Sequence, residues 1–286
     1  MTNREPLFKG KDFGLPQMSE FVNAFARVGG SPAMIQLAIE DKLGMEKVVE
    51  VFCQLELPYA DERVVSNVGY PAGFQHRHVD EQTARLLELF PGLDDKFVKT
   101  WSPDRLHKKA EFTAVIPDPL RIAGDYHKAL VRAVELLKTV HGDKFKNWRE
   151  GALTSEHLRL VEKTAQTHKM LTEKQNGDFW VFDAQFGKRW AGASVRHGRA
   201  RYLAEEFGLG PYEVAILLLT HPDRITGPDQ LYIDCAGCEY RVDVSEGAFP
   251  FCLDFYWHYY CKLMVLYHIS TDNASERWGS ASGFAS

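Results

Sequence analysis

The chain has 286 residues, of which 45% are hydrophobic, 26% charged and 12% aromatic. This ordinary globular composition excludes a collagen-like, low-complexity or wholly disordered protein. With 34 basic residues against 39 acidic ones, the net charge of −5 excludes a uniformly basic nucleic-acid coat. The length suits one large domain or two modest ones. Met1 to Pro6 is not followed by an apolar core of signal-peptide length. No apolar run approaches the ~20 residues that cross a bilayer; the richest stretch, Phe249 to Ile269, is broken by Asp254, His258, Lys262 and His268. The expected location is therefore cytoplasmic and soluble.

In chain order, residues 1–15 are polar and read as a flexible arm. Met18, Phe21, Val22 and Phe25 recur at helical spacing, and Gly29-Gly30 ends that pattern. Ser31 and Pro32 read as the N-cap and first residue of a second helix carrying Ile35, Leu37, Ala38 and Ile39. Residues 16–56 thus form a small helical module. The Pro and Gly content of residues 57–78 predicts a connector, Asp80 to Phe90 a helix, and residues 102–119 a second connector. Leu130, Val134, Leu137 and Val140 share one face of a helix over Asp125 to Val140. Thr154 or Ser155 is placed to cap a long helix ending near Lys174.

The pattern changes at Asp178. Phe179 to Phe182 is an apolar run of strand-favouring residues. Ser194 to Phe207 reads as a helix stopped by Gly208, and Pro211 to Leu219 as a helix with no polar face. Leu231 to Ile233, Tyr240 to Val242, Phe249 to Trp257 and Leu263 to Ile269 read as strands. The tail from Gly279 to Gly283 is small and flexible in composition. The predicted fold class is α+β: a helical N-terminal half, with residues 57–146 as connectors and helices, and an α+β domain over 147–286 that mixes helices with a small antiparallel sheet.

Several short blocks carry a resemblance. They are Gln185 to Arg189, Ser194 to Arg196, Glu206 to Gly210, Leu219 to Arg224, Asp234 to Gly237 and Gly279 to Phe284, with a fainter echo at Tyr70-Pro71 and Glu81-Gln82. Residues 147–286 are similar to a group of uncharacterised proteins predicted from genomes of uncultivated small-genome bacteria. The resemblance implies that the C-terminal half is a unit, and it assigns no catalytic residue.

Two constellations could carry chemistry. From Ala184 to Arg201 there are Lys188, Arg189, Arg196, Arg199 and Arg201, with no acidic residue and with Trp190 and Tyr202 interleaved. Guanidinium groups with aromatic rings suit phosphates and unstacked bases; the other reading is internal ion pairing with Glu205, Glu206 and other acids. The second is the cysteine group. Cys235 and Cys238 are spaced to share a zinc ion, with Cys252 and Cys261 as further ligands; the alternative is buried, inert cysteines. An odd count of five, without a signal segment, argues against a disulfide framework.

Weaker features complete the set. His76 and His78 could share a metal on a strand, or lie in an exposed loop. His221 with Asp223 or Asp234 could form an acid–base pair, or simply cap a helix. Eight aromatics between Phe249 and His268 are too many for one sheet face, so some rings are expected to be exposed as a protein interface. The leading expectation is a non-enzymatic cytoplasmic accessory protein that binds nucleic acid or another phosphate-bearing partner through the five basic residues. The alternatives are a zinc-stabilised domain or metal-dependent enzyme centred on Cys235 and Cys238, and an oligomeric scaffold. Residues 205–286 hold twelve acidic and four basic residues, so the basic segment adjoins an acidic stretch.

Overall fold

A computed structural model describes residues 58–101 and 105–285, together with 30, 31, 33, 34, 36 and 40. The chain divides into two compact units, Met1–Leu57 and Pro58–Ser286. In the first, the Ser31 hydroxyl accepts a hydrogen bond from the Met34 amide at 3.3 Å, the contact of an N-cap. Apart from residues 30, 33, 36 and 40, the rest of the predicted arm and helical module, including Cys53, lies outside the described residues.

The second unit is α+β. Its helices are α1 (Val79–Leu89), α2 (Lys96–Thr100), α3 (Pro119–Ala123), α4 (Tyr126–His141), α5 (Glu162–Lys174), α6 (Val195–Arg199) and α7 (Pro211–Thr220). Its strands are β1 (Phe112–Pro117), β2 (Phe145–Asn147), β3 (Leu158–Leu160), β4 (Phe179–Gln185), β5 (Glu206–Gly208), β6 (Tyr232–Asp234), β7 (Cys238–Tyr240), β8 (Phe251–His258), β9 (Leu263–Ser270), β10 (Trp278–Ser280) and β11 (Ser282–Phe284). No helix among the described residues is long and apolar enough to cross a membrane.

Two sheets result. One is antiparallel, in the order β1-β4-β11-β5. In the other, β8 pairs with β6, β7 and β9, while β10 joins β6 and β2 joins β9 in parallel. The predicted small antiparallel sheet is thus two sheets, one of them mixed. The predicted connector over 102–119 contains β1, which pairs with β4 in register from Phe112↔Ala184 to Pro117↔Phe179. That pairing joins strands on either side of position 146/147. Residues 158–160 are a strand rather than helix, and the helix predicted over Ser194 to Phe207 stops at Arg199.

Local chemistry accounts for the main elements. The Asp125 carboxylate accepts from the Lys128 amide at 3.0 Å and starts α4, whose Leu130, Val134 and Leu137 are buried. Pro211 supplies the first residue of α7, where its missing N–H costs nothing, and the Glu213 carboxylate accepts from the Gly210 amide at 2.8 Å. Every residue of α7 is buried, and it packs against α4, α1 and β1. Its one carboxyl, Glu213, also accepts from Tyr126 Oη at 3.1 Å, and burial pushes its pKa up to about 7.

The tail is the largest departure from expectation. Its small residues form β10 and β11 and are buried. They are small because backbone meets backbone. At Gly187, φ is +107° and an added Cβ would stand 2.5 Å from the Gly279 carbonyl oxygen. Gly187→Ala is therefore expected to destabilise the unit by about 2 kcal/mol or more, read as a lowered thermal midpoint. Gly247→Ala, at an exposed position whose added Cβ meets nothing within 4 Å, should leave the midpoint unchanged.

Candidate functional site

Strand β4 ends at Gln185, and the chain turns through Gly187 into a single 3-10 turn, Lys188–Trp190. Gln185 is fully buried and wholly engaged. Its amide nitrogen donates to the Ser280 carbonyl and the Ser282 hydroxyl, each at 2.8 Å. Its Oε1 accepts from the Gly187 amide at 2.6 Å. Ser282 in turn donates to Glu206 Oε1 at 2.8 Å. Glu206, also fully buried, accepts from Arg189 Nε at 3.1 Å, Arg189 Nη2 at 3.2 Å, Trp190 Nε1 at 2.9 Å and the Leu203 amide at 3.3 Å.

Glu111 stands beside this turn, its amide bonded to the Ala184 carbonyl at 2.8 Å. Its Oε2 accepts from Tyr70 Oη at 2.6 Å and the Phe186 amide at 3.0 Å, with His76 Nε2 at 3.7 Å. The His76 ring stacks on Phe112 and Phe186, with centroids 4.7 and 5.9 Å away. The Arg224 guanidinium lies over the Tyr70 ring at 4.2 Å, held by the Leu231 and Phe186 carbonyls at 2.7 and 3.0 Å.

Burial sets the charges here. It lowers the Arg224 pKa to about 10, which leaves this fully buried group cationic at neutral pH. It pushes the Tyr70 hydroxyl well above its usual range, so Tyr70 stays a donor. Burial also pushes Glu111 upward, but His76, the Tyr70 hydroxyl and the Phe186 amide outweigh it and hold the carboxyl below the usual range. Glu111 is therefore a fixed, ionised carboxylate.

Glu111 and Gln185 line an open pocket of about 330 Å³ with Lys108, Lys109, Ala110, Lys188 and Arg189. Four of these seven residues are cations. Lys108, Lys109 and Lys188 are exposed, and among the described residues no carboxylate pairs with them; Arg189 pairs with Glu206. A larger cleft of about 530 Å³ beside α4 and β2 mixes Lys138 and Lys146 with Glu135, Asp143 and Glu150, and so presents no single charge.

The structure divides the five predicted basic residues. Lys188 and Arg189 enter the pocket. Arg196 is bound to Glu62 through Nε at 2.8 Å and through Nη2, with its guanidinium over the Tyr59 ring at 4.5 Å. Arg199 donates to the carbonyls of Ala236, at 2.8 Å, and Cys238. Arg201 donates to the carbonyls of Pro58 and His197 at 2.9 and 3.2 Å. Lys108, Lys109 and Glu111 escape the sequence reading. The cluster Arg105, His107, Lys108, Lys109 was the available signal for the lysines; nothing local marks Glu111.

The four-cysteine zinc site is not formed. Among the described residues, no group of three or more His, Cys, Asp or Glu converges to hold a metal ion. Cys252 is the second residue of β8, and Cys261 is exposed in the turn beyond the far end of that strand, six strand residues or roughly 20 Å further on. Cys235, Cys238 and Cys252 are buried, which pushes all three thiols up, Cys238 to about 12. As free, buried cysteines they are neutral thiols at neutral pH.

The other predicted residues are structural in their contacts. His221 caps α7: its Nε2 accepts from the Arg77 amide at 2.9 Å, and its Nδ1 lies 3.0 Å from the Leu217 carbonyl. Those partners fix a neutral ring with the proton on Nδ1, and burial lowers its pKa to about 3. Asp223 pairs with Arg77 instead. His76 turns inward to Glu111, whereas His78 stands at the N-cap of α1, so they do not face one metal. Tyr259 and Tyr260 are the exposed rings of the aromatic stretch, at the β8–β9 turn.

Asp234 and Asp254 oppose each other across β6 and β8, both 2% exposed. Asp254 Oδ2 accepts from Trp278 Nε1 at 3.1 Å, and each carboxyl has an Oδ1 with no partner. Burial, then Asp254, raises the Asp234 pKa; burial raises Asp254 to about 7. Arg199 acts in the opposite direction on Asp234, as do the Trp278 hydrogen bond and then Arg149 on Asp254.

Two outcomes are expected. Arg189→Ala should cost about 3 kcal/mol of stability, because Glu206 stays buried without its cation, while Lys188→Ala should stay within about 0.5 kcal/mol of wild type in denaturant unfolding. Because the folded pKa of Asp254 is raised to about 7, the stability its neutral form contributes is full below about pH 4 and is lost as pH rises toward about 7. Asp254→Asn should therefore flatten the pH dependence across that window, removing about 1.4 kcal/mol per pH unit for each proton concerned.

Compared with known proteins, the chain matches no protein family, no curated protein and no solved structure.

Proposed function

We propose that the protein binds a small phosphate-bearing ligand in the pocket of Lys108, Lys109, Lys188 and Arg189. The observation that carries this reading is the concentration of four cations around one concave site, three of them exposed and with no carboxylate partner among the described residues. The pocket floor is rigid: Gln185 and Glu206 fix the turn that presents Lys188 and Arg189. A concave cationic site on a fixed scaffold favours a compact anion, which loses little order on binding.

A nucleic-acid strand is the other form of the same proposal, and the aromatic rings favour the small ligand. Trp190 is buried with its indole N–H on Glu206, and Tyr202 packs against Trp190. Neither ring offers the open stacking face that a single strand uses. A cytoplasmic, non-enzymatic accessory role belongs to this proposal, as does membership in the uncharacterised bacterial group that residues 147–286 resemble.

Calorimetric titration with inorganic pyrophosphate tests the reading. Binding is expected at low salt and should weaken steeply with added salt. The triple variant Lys108→Glu, Lys109→Glu, Lys188→Glu should lose it at unchanged thermal stability. Undetectable binding by the wild type, or binding indifferent to both salt and charge reversal, overturns the proposal.

A further inference from the structure

A carboxylate inside an anion pocket repels the anion. Glu111 lines this pocket, yet Tyr70 and the Phe186 amide fix it in place, and its environment keeps it ionised. Both of those donors, and the nearby His76, address Oε2. Among the described residues no donor addresses Oε1, and the side chain remains 20% exposed. Gln185 cannot satisfy it, because its amide nitrogen is spent on Ser280 and Ser282. A bare phosphate gains nothing from such a group and is weakened by it. A ligand carrying a hydroxyl close to its phosphate gains a charge-assisted hydrogen bond.

Resting on the anion-pocket reading above, we infer that the ligand is a phosphorylated polyol: its phosphate meets Lys108, Lys109 and Lys188, and a neighbouring hydroxyl donates to Glu111. Glu111 is then the residue that sets specificity. The pocket of about 330 Å³ has room for a sugar phosphate. The same hydroxyl–phosphate pair occurs in a free sugar phosphate and in the ribose of a nucleotide, so both belong in the test.

The experiment measures dissociation constants of the full chain for methyl phosphate, ribose 5-phosphate and adenosine monophosphate, in wild type and in Glu111→Gln. The wild type should bind ribose 5-phosphate about tenfold or more tightly than methyl phosphate, the gain expected from a hydrogen bond to a charged group. Glu111→Gln should move the two in opposite directions: methyl phosphate tighter, because repulsion is gone, and ribose 5-phosphate weaker. Adenosine monophosphate binding as tightly as ribose 5-phosphate identifies the nucleotide source, and its exclusion identifies the free sugar phosphate; either supports the inference. Equal wild-type affinity for methyl phosphate and ribose 5-phosphate overturns it while leaving the anion pocket standing, and that ratio decides even if Glu111→Gln does not fold. Absence of binding by all three probes overturns the anion pocket and this inference together.

Discussion

The Glu206 carboxylate is the constraint on which much of this architecture depends. A carboxylate removed from water is costly unless donors surround it, and here they come from three parts of the chain: the turn holding Arg189 and Trp190, then Leu203, then Ser282. Meeting that demand ties β5 to the turn after β4 and to β11. Ser282 passes the network on to Gln185, whose oxygen holds the Gly187 amide. The path of the turn, and with it the direction of Lys188, follows from satisfying one buried charge. A fully connected polar network of this kind fixes geometry more narrowly than apolar packing does.

The basic residues consequently perform two kinds of work. Arg189, Arg196, Arg199 and Arg201 use the planar, many-donor guanidinium to bridge backbone carbonyls and carboxylates within the fold. The exposed cations at the pocket are lysines, Lys108, Lys109 and Lys188. Ammonium groups on flexible stems keep their hydration and can adapt to an incoming anion. Arginine and lysine in this basic region thus divide into cations spent within the fold and cations left exposed, and counting net charge along the segment merges the two.

What was legible in the sequence was what local chemistry decides. α4 showed itself through Leu130, Val134 and Leu137 and through Asp125 at its start; α7 through its unbroken apolar run; β4 through Phe179 to Phe182. What was illegible depends on distant partners. Ser280 and Ser282 have little strand propensity, and their strands exist because Gln185 and Glu206 bond to them and glycine permits close backbone approach. The helix foreseen through Phe207 stops early because residues 206–208 are claimed by β11. Glu111 is held in place by Tyr70, 41 residues away, and by Phe186, 75 residues away. The cysteines were misleading for a related reason: closeness in sequence put Cys261 at the wrong end of β8 from Cys252.

The position of β11 has a consequence for how the chain reaches its native state. In the sheet order β1-β4-β11-β5, the strand Ser282–Phe284 lies between two strands made roughly 100 and 75 residues earlier. During synthesis, β4 and β5 wait with unpaired edges, and the Glu206 carboxylate waits without its serine donor. Closure of this sheet therefore cannot precede the synthesis of Ser282–Phe284. A nascent chain stalled a few residues short of Ser282 carries nearly all of its apolar core but an open seam through one sheet, a form suited to recognition by folding helpers or to mispairing with another chain.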